Sequence, residues 1–293
     1  MSLLQAIVMG IIQGLTEFLP VSSSGHLALY QILFDADTET GMLFDVLLHV
    51  GTLIAICVAY YKEIGRMIVE GCCIVGDAFI NAVTFFKNLA QEEKEPYRRI
   101  VNNSYRKFVM LVIVSTIPTG IIGFIGKDVV EKASALLIVP GICLIVTAAL
   151  LFLSDRLSDG AKLPKGATYT NAFSIGIAQG IATLPGLSRS GTTVTACLLC
   201  GFNRNFAVKY SFIMSIPAVL GALVLELSDF SGVQVTSIEI LYYVVGMLIA
   251  AVVGYICIRT MLVIVRKKKF TYFAVYCLLV GIVSICAFFY TAV

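Results

Sequence analysis

Polar and ionisable residues cluster in a stretch near the N-terminus of this chain, TEFLPVSSSGH, which covers residues 16–26. One carboxylate, Glu17, and one imidazole, His26, lie on either side of three consecutive serines. A second stretch, PGLSRSGTT, surrounds Arg189 with further hydroxyl side chains, namely Ser188, Ser190, Thr192 and Thr193. An arginine fork with several hydroxyl donors suits a phosphate group. The two stretches therefore predict a site for a phosphate-bearing ligand.

The same residue types could also carry out a reaction. A carboxylate beside a bound phosphate either helps to hold a divalent cation or acts as a base. An imidazole near hydroxyls can activate a serine or donate a proton to a leaving group. Phosphoryl transfer needs charge neutralisation, a positioned nucleophile and a proton carrier. Serines in turns also cap backbone groups, so the pattern does not single out one nucleophile among Ser22, Ser23 and Ser24.

Three further polar residues lie near the first stretch. Gln13 precedes Glu17 by about one helical turn, and it can contact the ligand or only pack, as its counterpart Gln179 would. Asp45 and His49 are four residues apart and therefore share one face of a helix. We predict Asp45 as a second metal ligand and His49 as a structural histidine.

The elements that must position these residues belong to a strongly apolar chain. Of its 293 residues, 59% are hydrophobic and 13% are charged, and the mean hydropathy is +0.94. These values predict an all-α polytopic membrane protein. Candidate spans of about 20 residues cover segments 42–61, 108–126, 135–153, 208–225, 239–265 and 270–290. The net charge of +3 is not evidence for a nucleic-acid partner, because the basic residues cluster in loops beside the spans, and we predict no such partner.

Two other apolar segments are too short to cross the membrane, residues 3–15 and 172–184. The first is followed by Pro20 and the second by Pro185, and both turns are rich in glycine and serine. Apolar return arms follow at residues 27–34 and 192–202. Both pairs are predicted to be re-entrant hairpins, whose turns are tolerated at membrane depth only if they are buried in protein or line a wet cavity.

The two hairpins resemble each other in sequence. GIIQGLTEFLPVSSSGH, from Gly10, and GIAQGIATLPGLSRSGT, from Gly176, share Gly-Ile-x-Gln-Gly and Ser-x-Ser-Gly at one constant offset. Each hairpin is followed by three predicted spans, so the second copy is predicted to be inverted in the membrane. The two repeats, approximately residues 1–155 and 170–293, form one integral membrane domain.

Lysine and arginine favour one orientation of this domain. With the N-terminus outside, the inside loops and their flanks hold all 21 of these residues except Lys127, Lys132 and Arg189. The positive-inside rule then predicts that both termini lie outside. Residues 67–90 are apolar but are interrupted by charges, and we predict an amphipathic interfacial helix there instead of a seventh span.

QGLTEFLPVSSSGH and PGLSRSGTT resemble the two signature motifs of the bacitracin-resistance type of undecaprenyl-diphosphate phosphatase. FSIGIAQGIATLPGLSRSG and KYSFIMSIPAV extend the similarity over essentially the whole chain. The resemblance implies a hydrolase of the bacterial plasma membrane that removes the terminal phosphate of undecaprenyl diphosphate. Such an enzyme recycles the lipid carrier for peptidoglycan synthesis and cell shape, confers bacitracin resistance, and opens its active site to the outer face.

The resemblance also implies roles for individual residues. Glu17 is the essential acid, His26 the catalytic histidine, Ser23 a candidate nucleophile and Arg189 the diphosphate clamp. The predicted diphosphate contacts are Gln13, Ser22, Ser24, Ser188, Ser190 and Thr193. Family activity depends on a divalent cation, Mg²⁺ or Ca²⁺, for which Glu17 and Asp45 are the candidate ligands. Gln13 stands where the motif allows a second carboxylate, so this motif offers Glu17 as its one carboxylate for a metal.

Several alternatives remain open at this point. Inverted repeats that meet at the midplane are typical of secondary transporters, so the chain could flip a prenyl phosphate instead of hydrolysing it. A channel is disfavoured because no ring of repeated charges is evident. Attack by Ser23 and attack by a water that His26 activates are equally compatible with the sequence. The predicted partners are the lipid substrate and the bilayer, and both a monomer and a homodimer are compatible with the sequence.

Overall fold

The computed structural model describes residues 2–33, 41–134, 136, 138–229 and 236–291. Within these ranges the chain is helical, which confirms the all-α prediction. The α-helices are α1 (Leu3–Phe18), α2 (Ser23–Leu33), α3 (Gly41–Ala59), α4 (Tyr61–Ala90), α5 (Ser104–Ile125), α6 (Lys127–Ser134), α7 (Ile138–Arg156), α8 (Tyr169–Ile181), α9 (Arg189–Leu199), α10 (Arg204–Asp229), α11 (Ser237–Arg266) and α12 (Phe270–Thr291). Residue 34 of a predicted return arm and residue 135 of a predicted span lie outside the described residues.

Six of the described helices are long and apolar enough to cross a membrane, namely α4, α5, α7, α10, α11 and α12. Five of them match predicted spans. The sixth is α4, for which an interfacial helix was predicted. The predicted span 42–61 corresponds to α3, which is not one of the six. The helix breaks at Tyr60, so the apolar part of α3 stops at Ala59. At 19 residues, α3 is about 28 Å long, close to the thickness of the hydrocarbon core.

Four polar residues of α4 lie on one face, because they recur at helical spacing: Glu70, Asp77, Asn81 and Asn88. This face binds the segment that follows the helix, residues 91–103. Asn88 exchanges two hydrogen bonds with the backbone of Glu95 (2.8 and 3.0 Å), and Asn81 exchanges two with that of Arg98 (2.7 and 2.8 Å). The segment therefore runs back along α4 towards the start of α5.

The length and composition of α4 would allow it to cross the membrane. The segment at residues 91–103, which packs on its polar face, argues against such a crossing. Residues 91–99 are exposed and non-helical, and they carry several charges. In a bilayer core the peptide groups of this segment that α4 does not bind would lack hydrogen-bond partners, and its charges would be costly there. An amphipathic helix at the membrane interface fits this arrangement, and the depth of α4 in the bilayer stays a prediction.

The first helix of each half packs on a long helix of the other half. α1 lies along α11, and α8 lies along α5. Small residues permit these approaches: a Cβ added to Gly10 would meet the backbone of Gly246, and one added to Gly176 would meet that of Ser115. Gly10 and Gly176 are matching positions of the sequence repeat. The halves thus use equivalent contacts, while their inverted orientation in a membrane stays a prediction.

Gly176→Ala is expected to lower the free energy of unfolding by about 1–3 kcal/mol, because the added methyl overfills the contact between α8 and α5. That methyl would lie 2.7 Å from Cγ of Pro118 as well as against the Ser115 backbone. Thermal unfolding in detergent measures the effect. Gly120→Ala, also in this helix pair, is the matched control because its Cβ would meet no atom within 4 Å. Equal unfolding temperatures for the two variants would contradict the close packing.

The largest cluster of buried apolar residues includes the end of α1 and the turn after it. Phe18 and Val21 are both buried there, and the Phe18 ring meets that of Phe212 edge-on, with centroids 5.4 Å apart. Edge-on aromatic contacts of this kind restrict ring orientation. Because Glu17 directly precedes Phe18, this packing fixes the position of the carboxylate.

Candidate active site

Each of the two polar turns leads into a helix that its own serine caps. The Ser22 hydroxyl accepts a hydrogen bond from the amide of Gly25 (3.3 Å) at the start of α2, and that of Ser188 accepts from Gly191 (3.1 Å) at the start of α9. Ser22 has a φ of +71°, a left-handed conformation that costs about 1–3 kcal/mol. Both serines are buried and act as N-caps. Their contact with a diphosphate stays a prediction.

Glu17 is the point at which the two turns meet. The residue is only 7% exposed, and its carboxylate binds three side chains. Ser23 Oγ donates to Oε2 at 2.5 Å, and Gln13 Nε2 donates to the same oxygen at 3.3 Å. Arg189, which comes from the second turn, forms an ion pair with Oε1. Four of the residues predicted from the sequence therefore lie together.

Ser23 and Arg189 occupy equivalent positions in the two halves. Each is the first residue of its helix, and they are separated along the chain by the same number of residues as the caps Ser22 and Ser188. The N-terminal ends of α2 and α9, with their unpaired amides and positive dipole ends, therefore lie close to Glu17. Such ends bind anions, so this arrangement can hold a phosphate group beside the guanidinium.

The imidazole of His26 is held by two groups, neither of which is Ser23. Nδ1 lies 2.8 Å from the carbonyl oxygen of Ser22, and Nε2 lies 2.8 Å from the hydroxyl of Tyr276 on α12. Residue types alone suggested that His26 activates a serine, whereas the hydrogen bond of Ser23 goes to Glu17. Tyr276 was missed at the sequence level because it lies 250 residues away in a predicted span, where an isolated tyrosine gives no signal.

The remaining predicted hydroxyls differ in what they contact. Ser24 is exposed, and its hydroxyl lies 3.4 Å from that of Ser22. Ser190 connects the two turns, because its hydroxyl donates to the carbonyl of Leu19 at 3.4 Å. Thr193 is fully buried, and its hydroxyl lies 2.5 Å from that of Ser211 on α10. Ser24 is thus open to a ligand, while Thr193 joins α9 to α10, and their contact with a diphosphate stays a prediction.

Gln13 and Glu17 on α1 carry oxygen atoms that suit a divalent cation. Gln13 Oε1 is buried without a hydrogen-bond partner in the described part of the chain, one turn before Glu17. Amide and carboxylate oxygens fit Mg²⁺ or Ca²⁺, and Mg²⁺ usually takes its other ligands from water and substrate phosphates. No group of three His, Cys, Asp or Glu residues forms a metal centre within the described ranges. Gln13 and Glu17 therefore fit a cation that a substrate phosphate also binds.

Asp45 and His49, the other two candidates, lie on α3. The carboxylate of Asp45 accepts a hydrogen bond from Gln31 Nε2 at 3.3 Å, and His49 Nδ1 donates to the Asp45 carbonyl at 2.8 Å. A bond to the carbonyl four residues earlier on its own helix is compatible with the structural role predicted for His49. The metal-binding role of Asp45 stays a prediction.

This chain is similar to known proteins along nearly its whole length. The model of the family described as "Bacitracin resistance protein BacA" matches residues 6–283. The chain is 37% identical over 285 residues to the "Undecaprenyl-diphosphatase" of Methanosphaera stadtmanae and 39% identical over 285 residues to that of Halothermothrix orenii. It is 40% identical over 283 residues to the protein of the same name from Desulfosudis oleivorans. These similarities cover 96% or 97% of this chain and 97% or 98% of each relative.

Proposed function

We propose that this chain, which belongs to the bacitracin resistance protein BacA family, is a membrane undecaprenyl-diphosphatase. The reaction hydrolyses undecaprenyl diphosphate to undecaprenyl phosphate and inorganic phosphate, which returns the lipid carrier to peptidoglycan synthesis and gives resistance to bacitracin. One observation carries the assignment at the level of the site: Glu17 binds Ser23 from one turn and Arg189 from the other. Nucleophile, carboxylate and guanidinium thus surround one position.

Phosphate release by the purified chain in detergent tests this function. Undecaprenyl diphosphate with Mg²⁺ or Ca²⁺ is expected to yield inorganic phosphate, and an excess of EDTA is expected to suppress it. Undecaprenyl monophosphate serves as the control substrate, because it has no phosphoric anhydride to hydrolyse. A folded protein that releases no phosphate from the diphosphate with either cation would overturn the proposal.

In this proposal Arg189 and the N-terminal ends of α2 and α9 bind the diphosphate. A guanidinium has five N–H donors in a fixed fork, and the ion pair with Glu17 engages only Nη2. Among the described residues the other donors of this guanidinium have no partner, so they can bind phosphate oxygens, which the amides at the starts of α2 and α9 also attract. Glu17 and Gln13 would hold the divalent cation, whose chemistry is to neutralise charge on the phosphates.

The nucleophile that the contacts favour is Ser23. Its oxygen attacks the distal phosphorus, and its proton moves to Oε2 of Glu17, to which it is already hydrogen-bonded at 2.5 Å. The bond between that phosphorus and the bridging oxygen breaks, and undecaprenyl phosphate leaves with the electron pair. A water that gives a proton to Nε2 of His26 then attacks the phosphoserine phosphorus, the bond from that phosphorus to Ser23 Oγ breaks, and Oγ takes back the proton from Glu17 as inorganic phosphate leaves. The competing path is direct attack by a water that His26 activates.

The flippase alternative gains no support from the relatives, which are named for diphosphatase activity. A flippase would also have no use for the hydrogen bond of 2.5 Å between Ser23 and Glu17, which suits proton transfer from a nucleophile. Moving a phosphate headgroup needs a binding site but neither a nucleophile nor a base. The two functions are separated by the phosphate assay, because a flippase moves the lipid without releasing phosphate.

We infer further that both termini lie outside and that the site opens to the outer face. The basic residues near the ends of α10, α11 and α12, with Arg266 to Lys269 as the largest group, support this orientation. A reporter that is active only outside the membrane, fused after residue 293, is expected to be active. The same reporter placed in the loop at residues 157–163 is the matched control and is expected to be inactive. The reverse result would overturn the orientation.

A further inference from the structure

Tyr276 contacts the predicted catalytic histidine from the opposite end of the chain. Its hydroxyl lies 2.8 Å from Nε2 of His26, and the two rings are stacked, with centroids 5.6 Å apart and planes inclined by 10°. The next residue on α12 also meets the first turn, because the thiol of Cys277 lies 3.7 Å from the carbonyl oxygen of Pro20. α12 therefore holds Tyr276 against the segment that carries His26.

The hydrogen bonds determine which ring nitrogen carries the proton. A carbonyl oxygen only accepts, so Nδ1 must be protonated in order to donate to the Ser22 carbonyl. In a neutral imidazole Nε2 is then an acceptor, and the Tyr276 hydroxyl donates to it. The orientation of the ring is thus fixed at both nitrogens, on one side by its own helix and on the other by α12.

We propose that Tyr276 is a positioning residue for the reaction: by donating to Nε2 it orients the His26 imidazole and favours the tautomer in which Nε2 is unprotonated, and it gives up this bond when Nε2 accepts a proton from water. This inference rests on the proposed phosphatase function, because that function gives His26 a part in the reaction. Groups that fix the tautomer and orientation of a functional histidine are a general requirement of such sites. Tyr276, in the second half of the chain, is such a group for His26, which lies in the first half.

Nitrogen NMR tests the contact without reference to activity. The chain has only two histidines, His26 and His49, so a protein labelled with ¹⁵N-histidine gives two imidazole sets, which His49→Gln assigns. Tyr276→Phe is expected to shift the Nε2 signal of His26, because the donor is lost while the ring remains. Tyr272→Phe, one turn earlier on α12, is the matched control and is expected to shift neither set. An unchanged His26 signal in Tyr276→Phe would overturn the proposal.

Steady-state phosphate release tests the positioning role. Tyr276→Phe is expected to lower kcat by about 10- to 100-fold with little change in KM, because a misoriented imidazole affects the reaction more than binding. Combined with His26→Ala, it is expected to cause no further loss, since both changes remove the same function. Tyr272→Phe is expected to retain wild-type kcat.

The outcomes separate this inference from the proposed function. A wild-type protein without phosphatase activity would overturn the function, and the NMR result would still report on the contact. A Tyr276→Phe variant with wild-type kcat, in an active wild-type background, would overturn the positioning role alone. A loss that multiplies fully with that of His26→Ala would also contradict it, because Tyr276 would then act independently of His26.

Discussion

Glu17→Gln will lower kcat for phosphate release by about 10²–10⁴-fold, the range by which a positioned acid or base accelerates a reaction. Glutamine keeps the size of the side chain, but its amide cannot take the Ser23 proton at the position where Oε2 now accepts it. The change also leaves the guanidinium of Arg189 without its carboxylate partner, which is costly at a poorly hydrated site. The rate of phosphate release at saturating substrate measures the loss in kcat directly.

The same experiment examines the covalent path. Rapid quenching of the wild-type reaction is expected to trap phosphate on Ser23, and the trapped amount is expected to fall in Glu17→Gln. Glu63→Gln is the matched control, since Glu63 also pairs with a basic side chain, Lys209, at 2.7 Å, but on α4 and away from the two turns. Activity of Glu17→Gln within threefold of the wild type would exclude Glu17 as the base. A catalytically active wild type without any phosphoserine would favour direct attack by water.

Much of the fold could be predicted because each signal is local or periodic. The apolar segments that form α5, α7, α10, α11 and α12 are long enough to identify by composition alone. Pro20 and Pro185 mark the turns after α1 and α8, because proline cannot continue a helix without losing a hydrogen bond. The repeat at a constant offset was informative as well, since it pairs the caps Ser22 and Ser188 and the glycines that allow close packing.

The rest depended on contacts that a linear pattern does not contain. α4 has the composition of a span, and only the charged segment folded back along its polar face argues against that reading. Residue types suggested His26 as the partner of a serine, whereas Ser23 donates to Glu17 at 2.5 Å, a contact that depends on how α1 meets the start of α2. Tyr276 reaches His26 through the packing of α12, far from both motifs in sequence.

Arg189→Lys will lower kcat/KM by about 10²–10³-fold, comparable to the loss of one preorganised donor at a reacting group. Lysine preserves the positive charge and can still pair with Glu17, so the carboxylate keeps a cationic neighbour. It loses the planar fork, which can bind Glu17 and a phosphate oxygen at the same time. Arg189→Ala removes both properties and is expected to be at least as damaging. Kinetics in detergent at several substrate concentrations give kcat and KM separately.

Whether the substitution of Arg189 changes kcat or KM shows which step the guanidinium supports. A clamp that holds the diphosphate equally in the ground state and the transition state would raise KM on substitution and leave kcat unchanged. A fork that also stabilises the charge of the transferring phosphoryl group would lower kcat, and we expect this result because Arg189 meets the same carboxylate as Ser23. Arg98→Lys, at an exposed ion pair with Asp77, is the control. Wild-type kcat/KM in Arg189→Lys would show that charge alone suffices, and the proposed role of the planar fork would then fail.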